Sequence, residues 1–393
     1  MEIDPKVQFD DTSTAFSYKS NQQLKKANLI FTLVNNPLMS AIATTMAKYA
    51  LKLHLPFVKT IIRNTIFEHF CGGENIDESE KTTAILKKFN VGTILDYSVE
   101  GAKTEEGFDQ TTQEILRTIE KAKGNDALPF CVFKVTGMAD TPLLAKKNSG
   151  EMLTPEETSA FARVHDRVEA VCRKAFENDV HILVDAEETW IQDPIDYLAY
   201  EMMKKYNRQK AIVFNTFQMY RKDMDARLRE AHQEAVTENY FLGVKLVRGA
   251  YMEKEAAHAE KAGQDNPIQP TKEDTDKAFN KALTFCVDNK AKISLMCGSH
   301  NDYSNRFLTV LMEKHGMRPD DPHIWFAQLL GMSDHISFNL SKTGYNVAKY
   351  VPYGPVSAVM PYLIRRAQEN TSVAGQSSRE LQLIRKELKR RRK

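Results

Sequence analysis

From Val91 onward the chain repeats one arrangement eight times: a short apolar run, then a longer stretch whose apolar residues recur at helical spacing. The runs are Gly92–Asp96, Pro129–Lys134, His181–Asp185, Ala211–Asn215, Gly243–Arg248, Ile293–Cys297, His323–Gln328 and Tyr345–Tyr350. A parallel strand buried on both faces reads as a near-continuous apolar run, and consecutive parallel strands need a crossover between them. Eight alternations therefore predict a (βα)8 barrel. An open doubly wound sheet is the rival, but neither a GxGxxG turn nor a Walker-type loop follows any of the runs. Among the intervening helices, Thr154-Pro155-Glu156-Glu157 has the spacing of a capping box with Pro at the first helical position. It predicts a helix continuing to about Phe176.

Such a barrel takes about 250 residues, so a chain of 393 has additions. Up to about Asn90 the pattern is helical, with Pro37–His54 and Phe57–His69 mixing apolar and basic positions and Cys71-Gly-Gly ending a helix. The expected organisation is an N-terminal helical segment packed on the barrel over 1–90, a distorted TIM-like barrel over 91–370, and a C-terminal helix with a basic tail over 371–393. With 42% apolar and 27% charged residues the composition is that of an ordinary globular protein. A net charge of +2 argues against nucleic-acid binding by the body of the chain.

The tail residues Lys386, Lys389, Arg390, Arg391, Arg392 and Lys393 read either as a frayed, solvated end or as an electrostatic attachment to an anionic membrane surface. The stretch Leu29–Ile62 is broken by Asn35-Asn36-Pro37 and carries Lys48, Lys52, His54 and Lys59, so no transmembrane helix is expected. Met-Glu-Ile-Asp-Pro has the layout of neither an export signal nor a transit segment. The expected location is cytoplasmic, with peripheral contact at the inner face of the membrane, or mitochondrial if a transit segment is missing. Five cysteines without a CxxC pair fit a reducing compartment.

In a (βα)8 barrel chemistry gathers at the carboxyl ends of the strands. Here those ends carry Asp96, Lys134, Asp185, Gln218, Lys245 with Arg248, His300, Gln328 and Tyr350. Each alone has a bland explanation: Asp185, Glu187 and Glu188 could open a helix, and Lys134 could be a solvated strand end. Together on one rim they put cations, a carboxylate and tyrosines around one mouth. Past the last strand, Tyr362, Arg365 and Arg366 share a helix face. An Arg-Arg pair is most often solvated, yet paired guanidinium groups and an aromatic ring also suit a small carboxylate ligand. No metal is expected, because His300 has no companion at ligand spacing and neither HExxH nor a Cys/His quartet occurs. No GxSxG elbow is present, and the cysteines lie mostly in apolar runs.

These residues fall in an ordered set of motifs: Phe-Lys134-Val-Thr-Gly, Val-Asp185-Ala-Glu-Glu, Gln218-Met-Tyr220, Val-Lys245-Leu-Val-Arg248-Gly-Ala-Tyr251, Gly-Ser-His300-Asn301, Gln328-Leu-Leu-Gly-Met332, Tyr350-Val-Pro-Tyr-Gly and Tyr362-Leu-Ile-Arg365-Arg366-Ala-Gln-Glu369-Asn370. From Val91 to Asn370 the chain resembles the flavin-dependent proline dehydrogenases. The resemblance implies a distorted barrel holding FAD, oxidation of L-proline to Δ1-pyrroline-5-carboxylate by hydride transfer from C5 to flavin N5, and electrons passed to a membrane quinone.

By the same resemblance Lys134, Arg365 and Arg366 hold the proline carboxylate, while Tyr251, Tyr350, Tyr362 and one of Leu329 and Leu330 wall the ring. Asp185 supplies the carboxylate beside the substrate-binding cations, and Glu100 pairs with an arginine as a gate. Gln218, Lys245, Arg248, Lys272, Ser299, His300, Asn301 and Glu369 contact the cofactor. Some members carry Arg-Leu-Val-Lys where this chain has Lys245-Leu-Val-Arg248, so the two cations are exchanged. Oligomeric state is not readable from the sequence. The rival readings are oxidation of 4-hydroxyproline, whose specialists carry a smaller residue at the position of Tyr350, and a catalytically silent scaffold, which would lack some of the matched residues.

Overall fold

The computed structural model describes residues 7–34, 58–99, 102–372 and 376–392, with side chains described there except at 34, 58, 367–372 and 376–378. Eight parallel strands close into a barrel in sequence order: β1 (Val91–Tyr97), β2 (Phe130–Phe133), β3 (His181–Val184), β4 (Val213–Gln218), β5 (Leu242–Val247), β6 (Ile293–Gly298), β7 (Ile324–Leu329) and β8 (Val347–Tyr353). Each corresponds to one of the apolar runs. The pairing is uneven: β1 and β8 run in register from Val91↔Val347 to Tyr97↔Tyr353, whereas β1 and β2 pair only at Ile94↔Phe130 and Leu95↔Cys131.

Strand alternation divides the side chains between two environments. Ile94, Phe130, Val132, Leu183, Phe214, Met296, Ala348 and Tyr350 form one buried cluster, which fills the barrel interior. Their neighbours Leu95, Cys131, Phe133, Ile182, Val184, Val213, Val347 and Val351 belong to a larger cluster shared with the surrounding helices. One of those helices is Pro155–Glu177, whose Thr154 and Glu157 make the expected reciprocal cap. All five cysteines are free and buried, and packing among apolar neighbours pushes the Cys131 and Cys297 thiols up to about 12.

A third cluster lies outside the barrel wall. It joins Phe16, Leu24 and Phe31 of the N-terminal segment, Phe67 and Phe70 of a helical stretch that ends at Cys71, Met332 after β7, Val356, Val359, Tyr362 and Leu363 after β8, and Leu381 and Ile384 of the final helix Gln376–Arg390. The helix Met360–Ser372, which bears Tyr362, Arg365 and Arg366, therefore packs against the chain's two ends. The stretch around Gly72 also extends the sheet, since Gly72 N donates to Pro352 O at 2.8 Å and Gly73 bridges to Tyr353. The anticipated helix over Pro37–His54 lies outside the described residues.

Part of the basic tail is paired within the chain. Glu387, fully buried, accepts from Arg390 at 2.8 Å and Arg391 at 2.7 Å, while Arg391 also donates to Phe16 O and Lys19 O and Lys386 donates to Asp10 O. Lys386 and Arg391 dock the last turn of the helix on backbone carbonyls of the N-terminal segment, while Arg390 pairs with Glu387 and stays half-exposed. Among the described residues no helix is long and apolar enough to cross a membrane.

Candidate active site

The inward parity that puts Ile94, Val132, Leu183, Phe214 and Ala348 in the barrel core puts Asp96, Lys134, Asp185, Gln218 and Tyr350 on the layer above them, at the carboxyl ends. Asp185 is the hub of this layer. Its Oδ2 takes Lys134 Nζ at 2.9 Å, its Oδ1 takes Lys245 Nζ at 2.5 Å, and the Tyr350 phenol donates to Oδ1 at 3.5 Å. Lys245 also lies 4.7 Å from the centre of the Tyr350 ring. Burial alone would raise the Asp185 pKa, but the attraction of Lys134 and then Lys245 outweighs it and holds the carboxyl down at about 2. Burial likewise works against the Lys134 ammonium, and Asp185 overcomes it, leaving Lys134 well above the usual lysine range. At Lys245 burial prevails over Asp185, and the pKa is lowered.

The exchanged cations, Lys245 on β5 and Arg248 just past its end, have separate surroundings. Lys245 points into the mouth, whereas Arg248 turns toward two helix starts. Its Nε donates to Asp276 at 2.6 Å, Nη1 to Ser299 Oγ at 2.8 Å and Nη2 to Ser304 Oγ at 2.9 Å, with the guanidinium over the Phe279 ring. Lys272 binds the other oxygen of Asp276 at 2.7 Å, so it joins this group through the carboxylate. Ser299 Oγ also accepts from Asn301 N, and Asn301 caps the helix Asp302–Lys314 by accepting from Ser304 N. His300 Nδ1 sits 3.0 Å from Ser333 Oγ, and burial, with Lys349 and Arg366 nearby, brings its pKa down to about 3. Gln218 is buried, and its Oε1 has no hydrogen-bond partner among the described residues. Gln328 points outward and braces this rim from behind, donating to Ser299 O at 3.1 Å and accepting from Ser337.

Tyr251 lies within electrostatic reach of both Lys134 and Arg365. Burial raises its phenol, Lys134 opposes the shift, Glu187 and Glu188 add to it, and Arg365 opposes it again, so Lys134 and Arg365 both act on one ring. Arg366 stacks on the Tyr362 ring at 5.2 Å. Leu330 is buried and ties to β8 through its N donating to Tyr350 O at 2.9 Å, while Leu329 packs between the barrel interior and the outer cluster. Glu100 lies outside the described residues, as does the side chain of Glu369. Among the described residues no group of three or more His, Cys, Asp or Glu side chains is arranged to hold a metal ion.

Two participants were not singled out from the sequence. Glu187 is buried and accepts from Thr136 N at 3.0 Å and from the Thr136 hydroxyl, anchoring the turn that follows Lys134. Burial dominates its protonation and raises its pKa to about 7 against those hydrogen bonds. The other is Glu255, which accepts from Thr189 N and Oγ1 at 2.8 and 2.6 Å and so fixes the helix that Tyr251 begins. The spacing Asp185-Ala-Glu187 keeps Glu187 on the parity of Asp185, a signal masked by its equal fitness to start a helix.

The family model described as proline dehydrogenase matches residues 79–379. The chain is 34% identical to the mitochondrial proline dehydrogenase 1 of Arabidopsis thaliana, over 84% of this chain and 75% of that one. It is 35% identical to the carbapenem antibiotics biosynthesis protein CarD of Pectobacterium carotovorum subsp. carotovorum, over 82% and 83% of the two chains. Among solved structures it resembles proline utilization A from Bdellovibrio bacteriovorus inactivated by N-propargylglycine, with a TM-score of 0.71 and 19% identity, over 92% of this chain and 38% of that longer one. The structural likeness carries the fold, and the sequence matches carry the relationship: the chain belongs to the proline dehydrogenase family.

Proposed function

We propose that the chain binds FAD and oxidises L-proline to Δ1-pyrroline-5-carboxylate, passing the electrons to a quinone at a membrane surface. The observation that carries this reading is the Lys134–Asp185–Lys245 bridge beside Tyr350, with Lys134 and Arg365 both acting on Tyr251. A site of this kind needs cations for a carboxylate and apolar walls for a small ring. Lys134, Arg365 and Arg366 supply the first; Tyr251, Tyr350, Tyr362 and the Leu329–Leu330 pair supply the second. Asp185 holds Lys134 in its charged form, so the substrate carboxylate meets a fixed ammonium. With a pKa near 2, Asp185 is a poor proton acceptor at neutral pH and serves as an organiser of charge.

The residues fit a flavin. Gln218 presents a buried acceptor in want of a donor, Lys245 and Arg248 bring positive charge, and Ser299 to Asn301 form the start of a helix. Gln218, Lys245, Arg248, Lys272, Ser299, His300, Asn301 and Glu369 would hold FAD. When bound, it supplies the hydride acceptor, N5, for the hydrogen leaving C5 of proline. Its surroundings stay uncharged at His300, whose pKa of about 3 keeps the imidazole neutral.

By the family resemblance Tyr350 would wall the ring where a hydroxyl would have to fit, which favours proline over 4-hydroxyproline; Asp185 and Lys245 hold its ring from the protein side. Purified protein should be yellow and should bleach when L-proline is added without oxygen. A colourless protein, or bleaching by 4-hydroxyproline alone, contradicts the proposal. Flotation with quinone-loaded acidic liposomes tests the membrane half, and failure to float or to reduce the quinone removes it.

A further inference from the structure

Lys349 is the residue on β8 next to Tyr350, and strand alternation turns it out of the barrel, where none of the proposed chemistry uses it. It is nevertheless fully buried: its ammonium donates to Met332 O at 2.7 Å and Leu329 O at 3.2 Å and forms an ion pair with the Asp334 carboxylate at 2.8 Å. Asp334, also fully buried, is held on its other oxygen by Lys19 at 2.8 Å and the Tyr18 phenol at 2.7 Å. Burying an ammonium is costly, so a lysine in an outward-facing strand position under a helix would ordinarily be an apolar residue.

What this cation holds is the turn after β7. Gly331 (φ +78°) and Ser333 (φ +51°) both adopt left-handed backbone, and for Ser333 that conformation is unfavourable unless its surroundings impose it. The surroundings do so from four directions. Lys349 takes the carbonyls of Leu329 and Met332. His69 Nε2 lies 3.0 Å from Gly331 O; burial brings the His69 pKa down to about 3, so this nitrogen carries the proton of a neutral ring and donates. Glu380 of the final helix accepts from Ser333 N at 3.1 Å, and Ser333 Oγ meets His300 Nδ1. The same turn thus connects the Leu329–Leu330 wall to His300.

We infer that Lys349, together with Asp334 and Glu380, is a positioning group for the active site: through the Leu330–Ser333 turn it sets both the apolar wall facing the substrate and the orientation of His300. This role rests on the proposed proline and flavin site. It also gives the N-terminal segment and the final helix a part in function, since Lys19, Tyr18 and Glu380 come from them.

The test compares Lys349→Met, Lys349→Arg, Glu380→Ala and Glu380→Gln with Thr154→Ala, a cap substitution on a distant helix that lowers stability without touching the turn. Lys349→Met should raise KM for L-proline roughly tenfold or more, with a smaller change in kcat, because a misplacement on the ångström scale costs up to about hundredfold. Flavin loss from the full-length holoenzyme, followed as free-flavin fluorescence, should accelerate in Lys349→Met and Glu380→Ala. Glu380→Gln keeps an acceptor for Ser333 N and should restore slow loss, and Lys349→Arg should restore part of the KM. If Lys349→Met and Thr154→Ala lower Tm alike and neither moves KM or flavin loss, the inference is overturned. Arg365→Met serves as the reference: if it too leaves KM unchanged, the fault lies in the proposed substrate site.

Discussion

Lys134 and Lys245 occupy opposite oxygens of one carboxylate, at 2.9 and 2.5 Å, so two strands that do not touch are cross-linked by Asp185 from a third. The three side chains together carry one net positive charge when both lysines are protonated, before any contribution from Arg365 and Arg366. Asp96, a further carboxylate on the same layer that acts on both lysines, offsets that surplus.

Replacing Asp185 with Asn removes the counter-charge from the buried Lys245 and the half-buried Lys134 at once. Leaving a buried charge uncompensated costs about 3–5 kcal/mol, so kcat/KM for L-proline should fall at least about hundredfold. Lys245, already lowered by burial, loses its main support, and the alkaline limb of the pH–rate profile should move to lower pH. A profile unchanged in shape and height would show that Asp185 does not organise these charges.

The guanidinium groups should act on binding. For Arg365→Met or Arg366→Met, losing one charged partner of a bound carboxylate costs about 2–5 kcal/mol, which corresponds to a KM increase of about thirtyfold or more. Steady-state kinetics with L-proline decide it, and wild-type KM in both variants refutes the clamp.

Glu187 makes a testable contribution to stability. Its folded pKa is raised to about 7 from 4.5 by burial. The sign follows from proton uptake: below pH 4.5 the carboxyl is neutral folded or unfolded, and as pH rises toward 7 only the unfolded chain ionises, so stability is lost across that window. The loss is about 3 kcal/mol. Glu187→Gln keeps hydrogen-bonding groups for Thr136 and abolishes the titration. Urea unfolding at pH 5 and pH 8 should give a gap between wild type and variant that widens with pH in favour of the variant; parallel curves contradict the assignment.

The five buried thiols should be silent in the native state. A chromogenic disulfide reagent at pH 8 should titrate none quickly in buffer and all in denaturant, since buried thiols with raised pKa values are poor nucleophiles. Rapid labelling of any cysteine in the folded protein would contradict its burial.

The barrel was legible because its signal is local: each strand is announced by its own apolar run. Strand limits were less so. Pro352 is a poor strand residue by its lack of an N–H, yet β8 runs through it, since its carbonyl receives Gly72 N from a segment far back in the chain. At the other end of β4, Ala211 and Ile212 are buried but precede the paired residues. The inward-facing site residues could be found by parity, as Leu183 to Asp185 and Val132 to Lys134 illustrate. Residues whose meaning depends on a distant partner could not. Lys349 needs Asp334, Glu187 needs Thr136, and Arg391 needs the carbonyls of Phe16 and Lys19; nothing in either local sequence names the other.

The long seam between β1 and β8 has a consequence for how the chain is made. Val91 begins the barrel, but the partner it pairs with, Val347, belongs to the last strand, so the ring stays open while every intervening unit is synthesised. Closure is a non-local step, and such steps are slow. Until it happens β1 is an exposed edge, and the Gly72–Gly73 stretch, which reaches β8 rather than β1, offers it no cover. Nascent chains stalled just before residue 347 should therefore be the species that depends most on chaperones during synthesis.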